Sequence, residues 1–235
     1  MPYTYPYPRP AVTCDVALFT MLARDLAVLL VRRKGEPFAG AYALPGGFVD
    51  EDEALEDAAR RELEEETGLR GVALEQLGAF GAPGRDPRGH TVSIAFVGFV
   101  LAPHHPVRAG DDAAEVAWVP LKSLALGSNP RRGAEPLAFD HGVVLSIARR
   151  RLEAHLDHPG RSAPFDFVPS RFTLAELRLV YEAVAGKRID DATFRRRVQQ
   201  KGGVEPVRAE GSGRGHLYRW KAAARGRPRK GRSAG

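Results

Sequence analysis

The chain has 235 residues, of which 43% are hydrophobic and 27% charged, so it can bury a core and is not disordered throughout. Its longest uncharged apolar runs, 16–23 and 26–31, are too short to span a bilayer, and its first residues lack the continuous hydrophobic region of a secretory signal. A single cysteine, Cys14, excludes an internal disulfide and a cysteine-rich zinc site. We therefore expect a soluble, cytoplasmic protein with no membrane partner.

Charge is unevenly distributed along the chain. Residues 1–160 carry 17 Lys and Arg against 22 Asp and Glu, a net charge of −5, whereas residues 161–235 carry 18 against 7, a net charge of +11. This split indicates one acidic or neutral domain and one domain built to meet a polyanion, although free use of arginine by a GC-rich genome would also raise the charge. The expected seam is 157–170, which holds three prolines and a glycine.

The first half alternates predicted strands and helices. The runs 16–21 and 26–33 predict a β-hairpin joined at residues 23–25. One helix is expected from about Asp52 to Thr67, ended by Gly68, and a second over 139–155. Further strands are predicted at 74–80, 91–101 and 115–119, and the second helix has an apolar stripe at Val143, Val144, Ile147 and Leu152. This order predicts an α+β fold in which helices cover a sheet.

The first predicted helix is strongly acidic, with ten Asp or Glu and two Arg between Asp50 and Leu69. On a helical wheel, Glu62, Glu65 and Glu66 fall in the same arc as the apolar residues that should face the core, which are Leu55, Ala58, Ala59, Leu63 and Leu69. Crowded carboxylates along a buried stripe repel one another and lose hydration. A divalent cation relieves both costs, and oxygen ligands favour Mg²⁺, or Mn²⁺, over zinc. The alternative, an ordinary acidic last turn, would oppose the helix dipole.

The residues around this helix carry a family resemblance. Gly47, five residues, Glu53, seven residues and then Arg61-Glu62-Leu63-Glu64-Glu65-Glu66-Thr67-Gly68-Leu69 resembles the Nudix box at every defined position. The resemblance implies a Nudix α/β/α sandwich that hydrolyses a nucleoside diphosphate linked to another group. It further implies that Glu62, Glu65 and Glu66 bind the metal, that one of them or a nearby acid activates water, and that Arg61 orients the cluster.

Other residues of the first half are candidates for the same site. Gly46 and Gly47 would let the backbone approach the metal or phosphates closely. The segment 84–94 resembles Nudix proteins that handle ADP-ribose and related sugar nucleotides, and its Arg85 and Arg88 are candidates for phosphate contacts. We interpret Glu53 as support for the helix start. Further candidate acids are Asp111, Asp112 and Glu115.

The second half begins with a predicted pair of helices. Thr173 and Glu176 match a capping box, with Phe172 as the hydrophobic staple, and this first helix ends at Gly186. A second, short helix starts near Asp190 or Asp191 and ends before Gly202. In that helix Phe194 and Val198 face inward, which leaves Arg195, Arg196, Gln199 and Gln200 on the outer surface.

Two more predicted strands complete this domain. The strands 204–209 and 216–220 would flank a glycine-rich turn that contains Arg214. Helix, helix and hairpin in this order indicate a winged helix-turn-helix, a module that reads DNA. Its outer arginines would bind phosphates and guanine edges, while Gln199 and Gln200 suit adenine. The alternative is a winged helix used for dimerisation or packing.

The C-terminal tail strengthens the nucleic-acid interpretation. The run 225–230, Arg-Gly-Arg-Pro-Arg-Lys, resembles an AT-hook, in which Arg225 and Arg227 would enter a narrow minor groove.

A Nudix domain followed by this module is similar to Nudix-related transcriptional regulators, among them regulators of NAD metabolism that sense ADP-ribose. We predict a Nudix domain at 1–157, a linker at 158–170, a winged helix-turn-helix at 171–222 and a basic, disordered tail at 223–235. The main hypothesis is an Mg²⁺-dependent hydrolase of ADP-ribose, giving AMP and ribose 5-phosphate, fused to a module that binds double-stranded DNA as a homodimer. The alternatives are a regulator that binds such a nucleotide without hydrolysing it, and a plain hydrolase whose basic domain serves dimerisation.

Overall fold

The computed structural model describes residues 6–101, 113–127, 131–157, 165–207 and 216–221. Its first two strands, β1 (Ala11–Leu22) and β2 (Asp25–Arg33), form the predicted hairpin, with Cα partners from Phe19 and Val28 to Leu22 and Asp25. Both strands are longer than the sequence predicted. The turn between them is tight, since Ala23 adopts a left-handed backbone conformation with φ of 53°.

These strands form the centre of a seven-stranded mixed sheet. Its path runs β3-β2-β1-β6-β5, with β4 paired to β1 and β7 paired to β2. The β1–β6 pair is parallel and the other pairs are antiparallel. The remaining strands are β3 (Tyr42–Ala43), β4 (Gly46–Phe48), β5 (Leu74–Phe80), β6 (Thr91–Phe99) and β7 (Ala113–Pro120).

Helices cover both faces of this sheet, as predicted. Side chains of β1 alternate between the faces because successive residues of a strand point to opposite sides. Cys14, Val16 and Leu18 pack with the first helix, α1 (Leu55–Thr67), whereas Ala17 and Phe19 pack with the second, α2 (His141–Asp157). The protein is therefore an α/β/α sandwich in this half.

The start of α1 corrects the sequence prediction. Asp52 has a left-handed backbone with φ of 63°, so the helix cannot extend back to it and begins at Leu55. Leu55, placed by the helical wheel in the buried arc, is 37% exposed, because the helix packs on the sheet only from Ala58 onward. The predicted end is confirmed, since Gly68 is left-handed and its amide donates to the Glu64 carbonyl at 2.7 Å.

The position of α2 is also shifted relative to the prediction. The helix starts at His141, two residues after the expected start, because Phe139 is left-handed with φ of 52°. Of the predicted stripe, Val144 and Leu152 are fully buried, while Val143 and Ile147 are half-buried. The buried face is completed by Leu145, Ala148 and Leu156.

The second half forms the predicted winged helix. Helices α3 (Leu174–Ala185) and α4 (Asp191–Lys201) are followed by β9 (Val204–Val207) and β10 (Leu217–Trp220). Thr173 and Glu176 form the predicted capping box, and the Asp190 carboxylate accepts from the Thr193 amide at 2.9 Å. The sequence analysis missed a short strand, β8 (Phe172–Thr173), which pairs with β10 and makes the sheet three-stranded.

The two halves share one hydrophobic core on the α2 side of the large sheet. That core joins Phe19 and Leu145 to Leu177, Val180 and Val184 of the winged helix. Phe167 and Val168, inside the predicted linker, are also buried in it. The proposed domain boundaries stay a prediction, and residues 158–164 and 222–235 lie outside the described part of the chain. No helix in the described ranges is long and apolar enough to cross a membrane.

Candidate functional site

A cavity of about 610 Å³ opens where β1, β4, α1, the β5–β6 loop and the start of α2 meet. Among the residues that line it are seven of the predicted site residues, Gly46, Gly47, Arg61, Glu62, Glu66, Arg85 and Arg88. We call this cavity the Nudix-box pocket.

Two glycines bring the backbone of β4 against the acidic helix. A Cβ atom on Gly47 would lie 2.4 Å from Glu62 Oε1, and one on Gly46 would lie 2.1 Å from the Cys14 carbonyl oxygen. The backbone contact excludes a side chain at Gly46, and a side chain at Gly47 would displace the Glu62 carboxylate. The Gly46 amide donates to Glu66 Oε2 at 2.9 Å, so Glu62 and Glu66 are both held against this strand.

Glu65 is not brought into the pocket with them. It is 60% exposed at its side chain, in contrast to 14% for Glu62, and it does not line the cavity. The predicted inward convergence of all three carboxylates is therefore not seen in this structure, because residues 62 and 66 are a full helical turn apart and residue 65 is rotated away from their line.

Arg61 connects the acidic residues, as the resemblance implied. Its Nη1 donates to Glu62 Oε1 at 2.8 Å and to Glu65 Oε2 at 3.2 Å, and its Nη2 donates to the Phe48 carbonyl at 3.0 Å. Glu53 accepts from Nε and Nη2 of Arg61, each at 2.8 Å, and from the Asp50 amide at 3.1 Å. Glu53 thus fixes Arg61 and does not cap the helix, whose N-cap residue is Ala54.

These contacts shift the pKa values of the acidic residues in opposite directions. Hydrogen bonds from Arg61 lower the pKa of Glu53 to about 2. Burial, with the nearby charges of Glu62 and Asp15, raises the pKa of Glu66 to about 7 against the opposing hydrogen bond from Gly46. Burial also raises the pKa of Glu62. The carboxylates of Glu62 and Glu66 are therefore poorly solvated where they lie in the pocket.

The carboxylates fit a hard divalent cation by their chemistry. Carboxylate oxygens are the ligands that Mg²⁺ and Mn²⁺ prefer, and the crowding of Glu62 and Glu66 is what such a charge would offset. Within the described ranges, however, no group of three or more His, Cys, Asp or Glu side chains is already arranged to hold a metal. Glu65 would have to leave Arg61 to complete the predicted set.

A buried polar network forms the floor of the pocket. Asp15, on β1, accepts a hydrogen bond from the Ser93 hydroxyl, lies 3.6 Å from His141 Nε2 and lies 3.7 Å from Arg85 Nη2. The other nitrogen of the His141 ring accepts from the Leu44 amide at 2.9 Å. Burial alone would raise the pKa of Asp15, but His141, Ser93 and Arg85 together lower it.

Sequence reasoning missed most of this network. It assigned no role to Asp15, Ser93, Asp140 or His141. These residues come from β1, β6 and the start of α2. A local pattern does not reveal contacts between such distant segments. The one signal in the sequence was Asp15 itself, a charged residue inside the apolar run of β1.

The two predicted phosphate-binding arginines occupy different environments. Arg85 is only 4% exposed at its side chain and forms a bidentate pair with Asp140, at 3.1 and 2.7 Å, on the pocket floor. Arg88 pairs with the buried Asp86 at 2.8 Å and reaches the mouth of the pocket, half-exposed. Arg88 therefore remains open to a ligand, while Arg85 is mainly engaged in the protein.

Aromatic rings and guanidinium groups alternate along one wall of the pocket. Arg33 lies 4.9 Å from the ring of Phe139, and Arg88 lies 5.6 Å from the same ring and 5.3 Å from that of Phe48. We call these four residues the aromatic wall. Phe48 is 48% exposed, although a ring of this size usually gains by burial. Phe139 packs edge-to-face on Phe38 at 5.0 Å, and both have left-handed backbones, which is rare and strained for bulky residues.

The remaining acidic candidates do not belong to the pocket or fall outside the described residues. Glu115 pairs with Arg32 at 3.0 Å and does not line the cavity. Asp111 and Asp112 lie outside the described part of the chain. Cys14 is buried, and its thiol donates to the Leu55 carbonyl at 3.3 Å.

The predicted DNA-binding residues of α4 share one exposed surface. Arg195, Arg196, Gln199 and Gln200 are exposed, while Phe194 and Val198 are buried, as the sequence indicated. Arg195 donates to Asp191 at 2.7 Å, and Arg197 lies 5.2 Å from the ring of Tyr181. Arg214, Arg225 and Arg227 lie outside the described residues.

Comparison with known families matches each half of the chain to a domain family. Residues 12–138 match the NUDIX domain and residues 164–219 match the NrtR DNA-binding winged helix domain. The chain belongs to the Nudix family and joins its Nudix domain to a winged helix of the NrtR type. Nudix hydrolases generally use divalent metal ions.

Some known proteins are similar to most of the chain and others to part of it. The chain is 33% identical over 220 residues, 91% of its length and 83% of the relative's, to an ADPR responsive transcriptional repressor of Acinetobacter baylyi. It is 41% identical over 139 residues, 59% of its length and 73% of the relative's, to an ADP-ribose pyrophosphatase of Methanocaldococcus jannaschii. The crystal structure of Shewanella oneidensis NrtR complexed with a 27mer DNA superposes with a TM-score of 0.71 at 34% identity, covering 90% of this chain and 94% of that one.

The shifted pKa values predict how stability depends on pH in the absence of divalent ions. Glu66 binds its proton more tightly in the folded chain, so the free energy of unfolding should rise as pH falls from about 8 to about 5, by about 1 to 3 kcal/mol. Below about pH 4 the free energy of unfolding should fall. The pKa of Asp15 is lowered in the folded chain, so this carboxyl stabilises the fold only while it is ionised. Urea unfolding at several pH values across this range measures both the rise and the fall.

Two variants isolate the Glu66 contribution. Glu66→Gln should remove most of the rise between pH 8 and pH 5, leaving the part due to the raised pKa of Glu62. Glu64→Gln, a change on the same helix outside the pocket, should leave the rise unchanged. A Glu66→Gln protein with the wild-type rise would contradict the assignment.

Proposed function

We propose that the Nudix-box pocket binds and hydrolyses ADP-ribose or a closely related nucleotide, and that this ligand controls DNA binding by the winged helix on the same chain. The observation that carries the proposal is the meeting of Glu62 and Glu66 with the Gly46–Gly47 backbone, in a chain whose α4 exposes arginine and glutamine. The similar repressor of Acinetobacter baylyi and the similar pyrophosphatase support the two parts separately.

The pocket and the adjoining face of α1 offer a residue for each part of diphosphate hydrolysis. Glu62, Glu65 and Glu66 would hold Mg²⁺, which when bound would neutralise the diphosphate and lower the pKa of the attacking water. Arg61 would hold Glu62 in place, and Arg88 would contact the ligand at the pocket mouth. Attack of water on one phosphorus with cleavage of the bridging P–O bond would give AMP and ribose 5-phosphate.

Hydrolysis is tested by incubating the full chain with ADP-ribose and Mg²⁺ and measuring AMP. We expect metal-dependent AMP formation that falls by about 100-fold or more in Glu66→Gln, since a metal-binding carboxylate acts on the transition state. Glu64→Gln, at the unspecified position of the Nudix box, should keep wild-type activity. Absence of AMP in the wild type, with ADP-ribose still bound, would exclude the enzyme and leave a sensor.

A sensor that binds without hydrolysis is the second candidate. The observation that favours it is the outward position of Glu65, whose carboxylate is bound to Arg61 and not turned toward Glu62 and Glu66. If that arrangement persists with ligand, the pocket would bind the diphosphate without activating water. The same incubation distinguishes the two.

We assign the base of the nucleotide to the aromatic wall. A planar base gains by stacking on an exposed ring, and the neighbouring guanidinium groups of Arg33 and Arg88 would attract the negative diphosphate. The exposed ring of Phe48 and the strained backbone of Phe139 each cost free energy in the folded chain. Contact with a ligand would explain why both features are present.

Isothermal titration of the wall variants tests this assignment. Phe48→Leu should weaken ADP-ribose binding about 5- to 100-fold, the range measured for loss of one base–aromatic stack. Phe48→Tyr, which keeps the ring, should bind within about 2-fold of wild type. Inorganic pyrophosphate, which has no base, should bind the three proteins equally. An equal loss for both ligands in Phe48→Leu would contradict base stacking.

The winged helix supplies the DNA-binding part of the proposal. Phosphates and base edges are bound by exposed Arg and Gln side chains of a recognition helix, and α4 presents four of them. A twofold DNA site would be read by a homodimer, which stays a prediction, as does a cytoplasmic location beside the chromosome.

DNA binding is tested by fluorescence anisotropy on the duplex upstream of the gene and on a random duplex. We expect specific binding that ADP-ribose weakens, and Arg196→Ala should lower the affinity for the specific duplex by about 10-fold. Arg70→Ala, an exposed arginine of the Nudix domain, is the matched control and should have no effect. Equal affinity for both duplexes, indifferent to ADP-ribose, would reject the regulatory function.

A further inference from the structure

One helix reaches from the Nudix-box pocket to the winged helix. The residue before α2, Asp140, holds the buried Arg85 with its carboxylate, and its carbonyl accepts from the Val143 and Val144 amides at 2.8 and 3.1 Å. The first residue of α2, His141, contacts Asp15 and the Leu44 amide. The N-terminal end of α2 is therefore part of the pocket floor.

The other end of α2 is bound by both helices of the helix-turn-helix. The carbonyl oxygen of Leu156 accepts from Tyr181 Oη on α3 at 3.1 Å and from Lys201 Nζ at the end of α4 at 2.9 Å. Carbonyls in the last turn of a helix have no partner within the helix, so they are free to accept such bonds. Leu156 and Tyr181 are buried, which strengthens these contacts by excluding water.

Tyr181 also contacts the recognition helix through its ring. It packs edge-to-face on Phe194 at 5.2 Å, and the Arg197 guanidinium lies 5.2 Å from its centroid. A single side chain thus joins the last turn of α2 to two residues of α4. These contacts help to hold α4, and with it the exposed arginines and glutamines, against the end of α2.

We infer that α2 transmits occupancy of the Nudix-box pocket to the recognition helix, with Tyr181 and Lys201 as positioning residues. His141 and Leu156 are separated by about 22 Å along a continuous helix, which moves as a rigid element. A ligand that contacts the aromatic wall at Phe139, or that draws Arg85 away from Asp140, would shift or rotate α2 at one end and displace α4 at the other. The inference rests on the proposed function, because it specifies how that ligand controls DNA binding.

The experiment measures the ratio of the DNA dissociation constants with and without saturating ADP-ribose, using the full chain. Ligand-linked ratios of about 5 to 150 are typical of allosteric proteins. We expect Tyr181→Phe and Lys201→Met each to reduce the wild-type ratio at least about 3-fold and the double variant to bring it near 1. The dissociation constant for ADP-ribose alone should stay within 2-fold of wild type, since neither residue lines the pocket.

The ratio separates positioning from a direct role in DNA binding. Loss of a phosphate contact at Lys201 would weaken DNA binding equally with and without ADP-ribose and would leave the ratio unchanged. Tyr218→Phe, which removes a hydroxyl from β10 of the same domain, is the matched control and should keep the wild-type ratio. If Tyr181→Phe unfolds at a much lower temperature, Lys201→Met, at an exposed position, carries the test.

Two outcomes overturn the inference in different ways. Wild-type ratios in both variants would reject transmission through α2 while leaving the proposed function intact. A ratio of 1 in the wild type would reject the ligand-controlled DNA binding itself, and this inference with it. Hydrogen exchange of the α4 amides supports the inference if ADP-ribose changes their protection in the wild type but not in Tyr181→Phe.

Discussion

The buried charge of Asp15 is the constraint on which the rest of the structure depends. A carboxylate inside an apolar sheet is costly unless it is paired and hydrogen-bonded, and Asp15 is satisfied only by groups from separate parts of the chain. Ser93 comes from β6, His141 from the start of α2, and Arg85 from the β5–β6 loop. Satisfying one charge therefore fixes the sheet register, the helix start and the pocket floor together.

On the α1 side of the pocket above this floor, the carboxylates outnumber the cations that pair with them. Arg61 is shared among Glu53, Glu62 and Glu65, so Glu66 has only the Gly46 amide as its hydrogen-bond donor among the contacts found in the described chain. Such an arrangement stores electrostatic repulsion next to a backbone that leaves no room for a side chain. Sites of this kind are suited to bind a cation and a diphosphate together, because each relieves the charge left by the other.

The core is continuous between the two halves, as the proposed control of DNA binding by a ligand requires. If the winged helix were joined only by a flexible linker, its orientation would be independent of the pocket. Instead, Phe167 and Val168 are buried with α2 and α3, and the last turn of α2 accepts hydrogen bonds from both α3 and α4. An intact Nudix box and a winged helix are thus parts of one folded body in the described chain.

The sequence by itself determined the features that depend on neighbouring residues. The Nudix box, the left-handed end of α1 at Gly68, the capping box of Thr173 and Glu176, and the exposed face of α4 were all predicted. The Nudix box was identified by its resemblance to the family, and the other three features follow from contacts three or four residues apart and from the conformational freedom of glycine.

Only the tertiary structure decided which side chains meet. A helical wheel places Leu55 and Glu65 in the inner arc, but packing begins one turn later and Arg61 holds Glu65 outside. The network around Asp15, the aromatic wall and the contacts of Leu156 with Tyr181 and Lys201 join segments that are far apart in the chain. Hydrophobic periodicity indicates which face of its own helix or strand a residue occupies. These contacts depend instead on how separate elements are brought together by the folded core.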